Sequence, residues 1–313
     1  MIAEIITPGL QTTIQDLGRP GLRHVGVPLS GAADPLSLSL ANAAAGNLAN
    51  AAGLECTLQG PVISFHQATT FAIGGADMDA RLNDARIENY APHQANAGDE
   101  LKLGASKTGA RTYLAFQGGL QGGDFLGSLS TYLPATLGGH EGRALSTGDM
   151  LYSAQGPVQT PQEIPQTLRP QIAHDFFLRA LPGPEAEALH GGALEQFFSQ
   201  SWSVGRRANR MGIQLEGDAM ALHDRPPMAS SPVFPGTVQC PQDGAPFLLL
   251  CDAQTVGGYP RIAQIISADI HLAGQMRPGD RLWFRQASEE DARDIAKQIA
   301  AFYGKLIADD FFR

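Results

Sequence analysis

Three arginines, Arg19, Arg143 and Arg210, lie inside glycine-bearing strings, and a guanidinium fork is well shaped to hold a carboxylate or a phosphate. Each could equally pair with a nearby aspartate and pin its own loop. The run Asp252-Ala-Gln254-Thr255-Val-Gly-Gly-Tyr259-Pro260 follows the apolar segment 247–250. A polar cluster with two glycines at a strand end suits a ligand loop, because glycine allows close backbone approach and positive φ. There Gln254 and Thr255 would hydrogen-bond an amide, Tyr259 would wall the site or donate, and Asp252 would orient a group or act as a base. The competing reading is a tight turn whose side chains satisfy its own backbone. Gln239, between Gly236 and Pro241, could also read an amide. Ser130 and Thr131, with Gly138 and Gly139, could offer hydroxyls and bare amides to an oxyanion, or be plain loop chemistry. Ser30, Asp34 and Asn42 flank the first expected helix, where Asp34 is most simply a cap. His24 and His140 could shuttle a proton, although a histidine in such a setting is more often only structural.

These residues need a scaffold, and the pattern describes one made mostly of short strands. Residues 2–6 read as a strand stopped by Thr7-Pro8-Gly9, and residues 11–31 as a long ordered loop. Asp34 and Pro35 open a helix with Leu36, Leu40 and Ala44 on one face and Gly46 as its left-handed stop. Strands are expected at 61–65, 70–74, 78–82, 86–88, 100–103 and 111–116, then at 175–181, 213–216, 246–251 and 281–285. A short helix is expected near 193–200. Gly98-Asp99, Gly148-Asp149 and Gly279-Asp280 each launch an alternating apolar strand. Ser288 and Asp291 form a weak capping box for a last helix lined by Ala292, Ile295, Ile299, Phe302 and Leu306. The apolar tip 309–313 is expected to pack on the body. The expected architecture is mainly β with peripheral helices: a barrel-like half at 1–155, a Pro- and Gln-rich linker at 156–172, a second half at 173–287 and a terminal helix at 288–313.

Composition narrows the functional classes. The 313 residues carry a net charge of -9 and no Lys/Arg cluster, which argues against a phosphate-backbone binder. The three cysteines, Cys56, Cys240 and Cys251, lack metal-ligand or CxxC spacing and read as reduced thiols of a cytoplasmic protein. No basic-then-apolar leader is visible, and no uncharged apolar run approaches the ~18 residues of a membrane span. A phosphate loop, a strand–GxGxxG–helix unit, HExxH and a biotin-carrier Ala-Met-Lys-Met string are all missing. Gly127-Ser128-Leu-Ser130 is not a nucleophile elbow. No metal site is expected.

Several unusual strings occur together: Thr13-Ile-Gln15-Asp16-Leu-Gly18-Arg19-Pro-Gly21, Gly26-Val-Pro28-Leu-Ser30-Gly31-Ala-Ala-Asp34-Pro35, Leu54-Glu55-Cys-Thr-Leu-Gln-Gly60-Pro61 and Gly138-Gly139-His-Glu-Gly142-Arg143. The second half adds Leu181-Pro182-Gly183-Pro184, Asn209-Arg210-Met211-Gly212, Pro235-Gly236-Thr-Val-Gln239-Cys-Pro241 and Asp252-Ala-Gln254-Thr255-Val-Gly257-Gly258-Tyr259-Pro260. This set, spread over residues 2–286, closely resembles the family of 5-oxoprolinase C subunits, also called KipA-like, allophanate hydrolase subunit 2 or biotin-dependent carboxyltransferase domain. The resemblance implies two cyclophilin-like β-barrels. It also implies two partners, a B subunit (KipI-like) and an A subunit (LamB/YcsF-like), with which the chain would hydrolyse 5-oxoproline to glutamate using ATP and Mg²⁺ bound by the complex. Alone, the chain would be inactive. Two alternatives follow from the same resemblance: a carboxyltransferase component acting with biotin on a urea-like amide, and a non-catalytic regulator that binds a KipI-like kinase inhibitor. No biotin carboxylase, carrier or B-like segment is present, which favours the oxoprolinase expectation.

Overall fold

The computed structural model describes residues 1–224, 228–304, 306 and 307. The chain is mainly β with few helices, as the frequent turn residues require, and forms two units. The first comprises Met1–Arg19 and Ser30–Ile172, with a short segment that starts at Phe302; the second comprises Pro20–Leu29 and Ala173–Ala301.

In the first unit a six-stranded sheet runs in the order Met150–Leu151, Ala3–Thr7, Val62–Phe65, Glu100–Lys102, Arg81–Leu82, Ala85–Arg86. A five-stranded sheet runs Gln11–Gln15, Gly53–Thr57, Arg111–Phe116, Thr69–Gly75, Pro92–Ala95. Both contribute to one core: Ile5, Ile63 and Phe65 from the former, Leu54, Phe71, Ile73, Leu114 and Phe116 from the latter. The two sheets pack as layers on this core and are not joined into one hydrogen-bonded ring. The helix Pro35–Ala45 begins where Asp34 Oδ1 accepts the Ser37 N–H (2.9 Å) and ends at Gly46 with φ 80°. It is buried all round and not on one face alone. Its polar residues therefore find internal partners: Ser37 Oγ bonds Tyr90 Oη (3.1 Å), and Asn42 Nδ2 donates to the carbonyls of Ala49 and Ala51.

The second unit is a closed seven-stranded barrel in the order Asp175–Pro182, Arg261–Ile265, Thr237–Gln239, Phe247–Leu249, Gly212–Glu216, Ser201–Ala208, Arg281–Gln286. A parallel pairing from Asp175↔Arg281 to Ala180↔Gln286 closes it. Phe176, Leu178 and Ala180 point inward while Asp175 and Phe177 stay exposed, the period-two pattern of a half-buried strand. Phe197, on the helix Ala193–Ser199, stacks on Phe284 (4.4 Å) and meets Trp202 (5.7 Å) in the core.

The recurring Gly-Asp pair is the same physical device each time. Gly98, Gly148 and Gly279 have φ 93°, 87° and 92°. Asp99, Asp149 and Asp280 each donate their N–H three residues back at 3.1 Å, to Asn96, Ser146 and Arg277. Each carboxylate in turn accepts the N–H of that earlier residue, at 2.7, 2.7 and 3.0 Å. Two copies lie in the first unit and one in the second.

Three expectations need correction. Gln11–Gln15, expected as loop, is the buried edge strand of the five-stranded sheet, pairing with Gly53–Thr57; its β-branched Thr12, Thr13 and Ile14 suit a pleated surface despite the polar ends. The strands Ser201–Ala208 and Arg261–Ile265 do not show in the sequence pattern, because arginines, glycine and alanine hide their alternation. The stretch 156–172, expected as a linker, is tied down within the first unit: Ile164 is buried and its N–H reaches Tyr90 O (2.9 Å), and Gln159 N–H reaches Gly46 O (2.6 Å). The tip 309–313 lies outside the described residues, as does part of the expected terminal helix, whose described helical span is Glu289–Tyr303.

A Cβ at Gly98, Gly148 or Gly279 would meet nothing within 4 Å. Alanine at each should therefore cost about 1–2 kcal/mol from left-handed backbone strain alone, measured as three similar shifts in urea unfolding midpoint with unchanged slope.

Candidate functional site

In the second unit, the turn Asn209-Arg210-Met211 faces the end of the strand Phe247–Leu249. Asn209 Oδ1 accepts the N–H groups of Met211 (2.7 Å) and Gly212 (3.3 Å), which shapes the turn. Arg210 Nε donates to Asp252 Oδ2 (2.8 Å) and Nη2 to Oδ1 (3.1 Å), both side chains being buried. The Asp252 N–H also reaches Arg210 O (2.9 Å). The two expected catalytic groups thus meet each other, and this forked pair holds one loop to the next. In this arrangement Asp252 orients its surroundings, since both of its oxygens already accept from the guanidinium.

Beside them runs an amide relay. Gln254 Nε2 donates to Gln239 Oε1 (3.2 Å), and Gln239 Nε2 donates to Tyr259 O (3.1 Å). Gln239 is buried and Gln254 exposed, so the relay leads from the surface inward. Gly257 packs closely on this amide: a Cβ there would lie 2.6 Å from Gln239 Nε2, so a larger residue would have to displace the Gln239 side chain. Thr255 is half-buried and its carbonyl accepts the Val233 N–H (3.1 Å), while Tyr259 presents its ring to solvent.

Arg23 joins this cluster, although the sequence reading favours its neighbour His24. Both sit on the 3₁₀ turn Arg23–Val25, with His24 exposed. Arg23 Nη2 donates to the carbonyls of Gln254 (2.8 Å) and Val233, and its guanidinium lies 5.6 Å from the Phe234 ring centroid. Burial pushes its pKa downward from the ordinary arginine value. The sequence signal that could have found it is slight: a cation inside the glycine- and proline-rich run 18–31.

In the first unit, Asp16 is the hub. Its carboxylate accepts from Gly18 N (2.7 Å), Ser128 Oγ (2.7 Å), Leu129 N (2.7 Å) and Ser130 Oγ. Arg19 is fully buried; its Nε donates to Phe125 O (3.1 Å) and Nη2 to Ser130 O (2.5 Å). Thr131 Oγ1 donates to Ile14 O (3.0 Å), and a Cβ on Gly139 would sit 1.9 Å from Thr131 Oγ1. Ser130, Thr131 and Gly139 are therefore brought together, with their hydroxyls already engaged. Ser30 belongs to the same loop system, because Gly31 packs on the backbone of Gly18 and Ala32 N–H reaches Asp16 O (2.8 Å). Ser30 Oγ is buried with no hydrogen-bond partner among the described residues, on a residue with φ 52°. Such strain gathers at functional loops.

Arg143, the third expected catalytic residue, forks onto Asp149 (2.6 and 2.9 Å) and also bonds Glu141. His140 Nε2 lies 3.2 Å from the same Asp149. The Arg143 bonds hold the Asp149 carboxyl down at about 2. The buried thiols of Cys56 and Cys240 are pushed up to about 12 by desolvation, which keeps them protonated and unreactive. Among the described residues no group of three or more His, Cys, Asp and Glu is placed to hold a metal ion, and no helix is long and apolar enough to cross a membrane.

The two β units carry glycine-rich polar loops anchored by carboxylates, half-buried Asp16 in the first and buried Asp252 in the second. The chain belongs to the carboxyltransferase domain, subdomain A and B, family, which it matches over residues 25–286. It is 38% identical to the C subunit of Escherichia coli 5-oxoprolinase over 97% of both chains. It is 35% identical to the urea amidolyase of Lachancea kluyveri over 93% of this chain but 17% of that one. The solved urea amidolyase of Kluyveromyces lactis superimposes with a TM-score of 0.92 at 30% identity, over all of this chain and 20% of that one. The chain thus spans about a fifth of the urea amidolyases it resembles.

Removing one member of the buried Arg210–Asp252 pair strands the other. Asp252→Leu alone is expected to cost about 3–5 kcal/mol, and the double replacement Arg210→Met with Asp252→Leu much less than the sum of its two single variants; a double-mutant cycle by chemical denaturation reads this. Asp149 is depressed below an unfolded aspartate, so its contribution is complete above about pH 5 and is lost as pH falls toward 2. Asp149→Asn should lower Tm at neutral pH and show a shallower loss of Tm between about pH 5 and 2.

Proposed function

We propose that this chain is the C subunit of an ATP-dependent 5-oxoprolinase of the cytoplasm, which hydrolyses 5-oxoproline to glutamate together with the A and B subunits. One observation carries the reading: the correspondence with a protein named as the C subunit of 5-oxoprolinase runs end to end, over 97% of both chains. The relation to urea amidolyase covers only a fraction of that much longer protein. The end-to-end match supports the C-subunit reading over the match to one segment of urea amidolyase.

The chemistry of the second unit fits a cyclic amide. The Gln254–Gln239 relay offers a carboxamide edge that matches a lactam N–H and C=O, with the Tyr259 ring as a wall. The Arg210–Asp252 pair holds the loop from which Gln254 projects two residues later. ATP and Mg²⁺ belong to the assembled enzyme in this reading, and no step is assigned to them in this chain. They would supply activation of the amide carbonyl. The residues of this chain bind and orient.

The second reading, a carboxyltransferase half acting with biotin on a urea-like amide, is favoured by the TM-score of 0.92 with Kluyveromyces lactis urea amidolyase. Reconstitution separates the two. The purified chain alone should not turn over 5-oxoproline; adding both partner proteins, ATP and Mg²⁺ should produce glutamate, insensitive to avidin. Avidin-sensitive consumption of urea in the presence of a biotinylated carrier, with no glutamate formed, would replace this reading by the second. In the active assembly, Gln254→Ala should raise KM for 5-oxoproline about tenfold, the loss of one ligand hydrogen bond.

A further inference from the structure

We infer that Arg23 is a carboxylate-recognition point in the second unit, and that it takes the free carboxylate of the small amide substrate. The inference rests on the 5-oxoprolinase reading and extends it by naming which residue meets which group.

The guanidinium is held firmly yet incompletely used. Nη2 donates to Gln254 O (2.8 Å) and to Val233 O, and the Phe234 ring stacks on the group with its centroid 5.6 Å away. Nε and Nη1 are shielded from water and have no hydrogen-bond acceptor among the described residues. No acidic side chain among those residues lies within ion-pair distance of Arg23, whereas Arg143, Arg179, Arg210 and Arg261 each fork onto one. A half-buried guanidinium whose Nε and Nη1 are shielded from water with neither counter-ion nor acceptor carries a cost. Its unmet donors favour an incoming anionic oxygen. Desolvation lowers its pKa, but an arginine starts so far above neutrality that the charge persists.

Placement identifies the anion. Gln254 holds Arg23 through its carbonyl and starts the amide relay to Gln239 through its side chain. A cation and a carboxamide reader therefore meet at one residue. Their common complement is a small molecule with both an amide edge and a carboxylate. 5-Oxoproline has both; urea and 2-pyrrolidone have only the amide. Both nitrogens, Nε and Nη1, are covered in the free chain, so binding must displace side-chain cover. Phe234, 52% exposed, is the side chain with room to move.

The test observes the Arg23 Nε–H directly in ¹⁵N-labelled protein, alone and in the assembled complex, with the resonance assigned by its loss in Arg23→Lys. Titration with 5-oxoproline should move it saturably, and 2-pyrrolidone should do so at least about tenfold more weakly. In the reconstituted enzyme, Arg23→Gln should raise KM for 5-oxoproline by about tenfold or more, with kcat within about threefold and an unchanged melting temperature. If acetate moves the resonance and 5-oxoproline does not, Arg23 is a carboxylate point but the oxoprolinase assignment of its ligand falls. If neither carboxylate moves it, alone or in the complex, or if Arg23→Gln lowers kcat and Tm together with KM unchanged, the inference is overturned.

Discussion

Loops in this protein are long, and their backbone N–H groups must be satisfied where the loops pack against the sheets. Short carboxylates meet that requirement. Asp16 gathers two backbone N–H groups and two serine hydroxyls; Asp252 takes both arms of Arg210; Asp269 accepts the Arg179 N–H together with its guanidinium. An aspartate has one methylene, so it loses little side-chain freedom while collecting several bonds. Without these anchors the glycine-rich strings would have no single conformation, because glycine itself imposes none.

The same economy separates groups that build the site from groups that remain available to it. Arg210, Arg143 and Arg19 are all engaged internally, with a carboxylate or with backbone carbonyls. Ser130 and Thr131 are likewise committed to Asp16 and to Ile14 O. Among the described residues, Arg23 Nε and Nη1 and the Ser30 hydroxyl are buried without a hydrogen-bond partner, and Gln254 is exposed. A carboxamide pair, unlike an ion pair, can exchange partners with a ligand at little cost, since each amide keeps both donor and acceptor character. That suits Gln239 and Gln254 to recognition and the buried ion pairs to architecture.

Much of the scaffold was legible along the chain. Strand 111–116 matched residue for residue, and the Asp34 cap and Gly46 stop marked the buried helix within its first and last turns. The three Gly-Asp turns were visible as a repeat, though their shared hydrogen bonding was not. Strands Gln11–Gln15 and Ser201–Ala208 were hidden, because their polar and glycine residues mask the period-two signal. The tie-down of 156–172 was hidden for another reason: a Pro- and Gln-rich composition reads the same whether or not its backbone finds partners.

By itself the sequence determined the local decisions: where turns occur, where the helix caps fall, which residues are apolar, and the strings that mark the family. It could nominate Arg19, Arg143 and Arg210 as cations of interest, but not say what each would touch. Those outcomes were decided across long separations. Arg210 meets a carboxylate 42 residues away, Arg19 a carbonyl 111 away, and Arg23 carbonyls 210 and 231 away. A hydrogen bond forms wherever packing brings donor and acceptor within about 3 Å, and chain distance carries no information about that meeting. Only the folded units could therefore show which guanidinium was already satisfied and which was left with donors to offer.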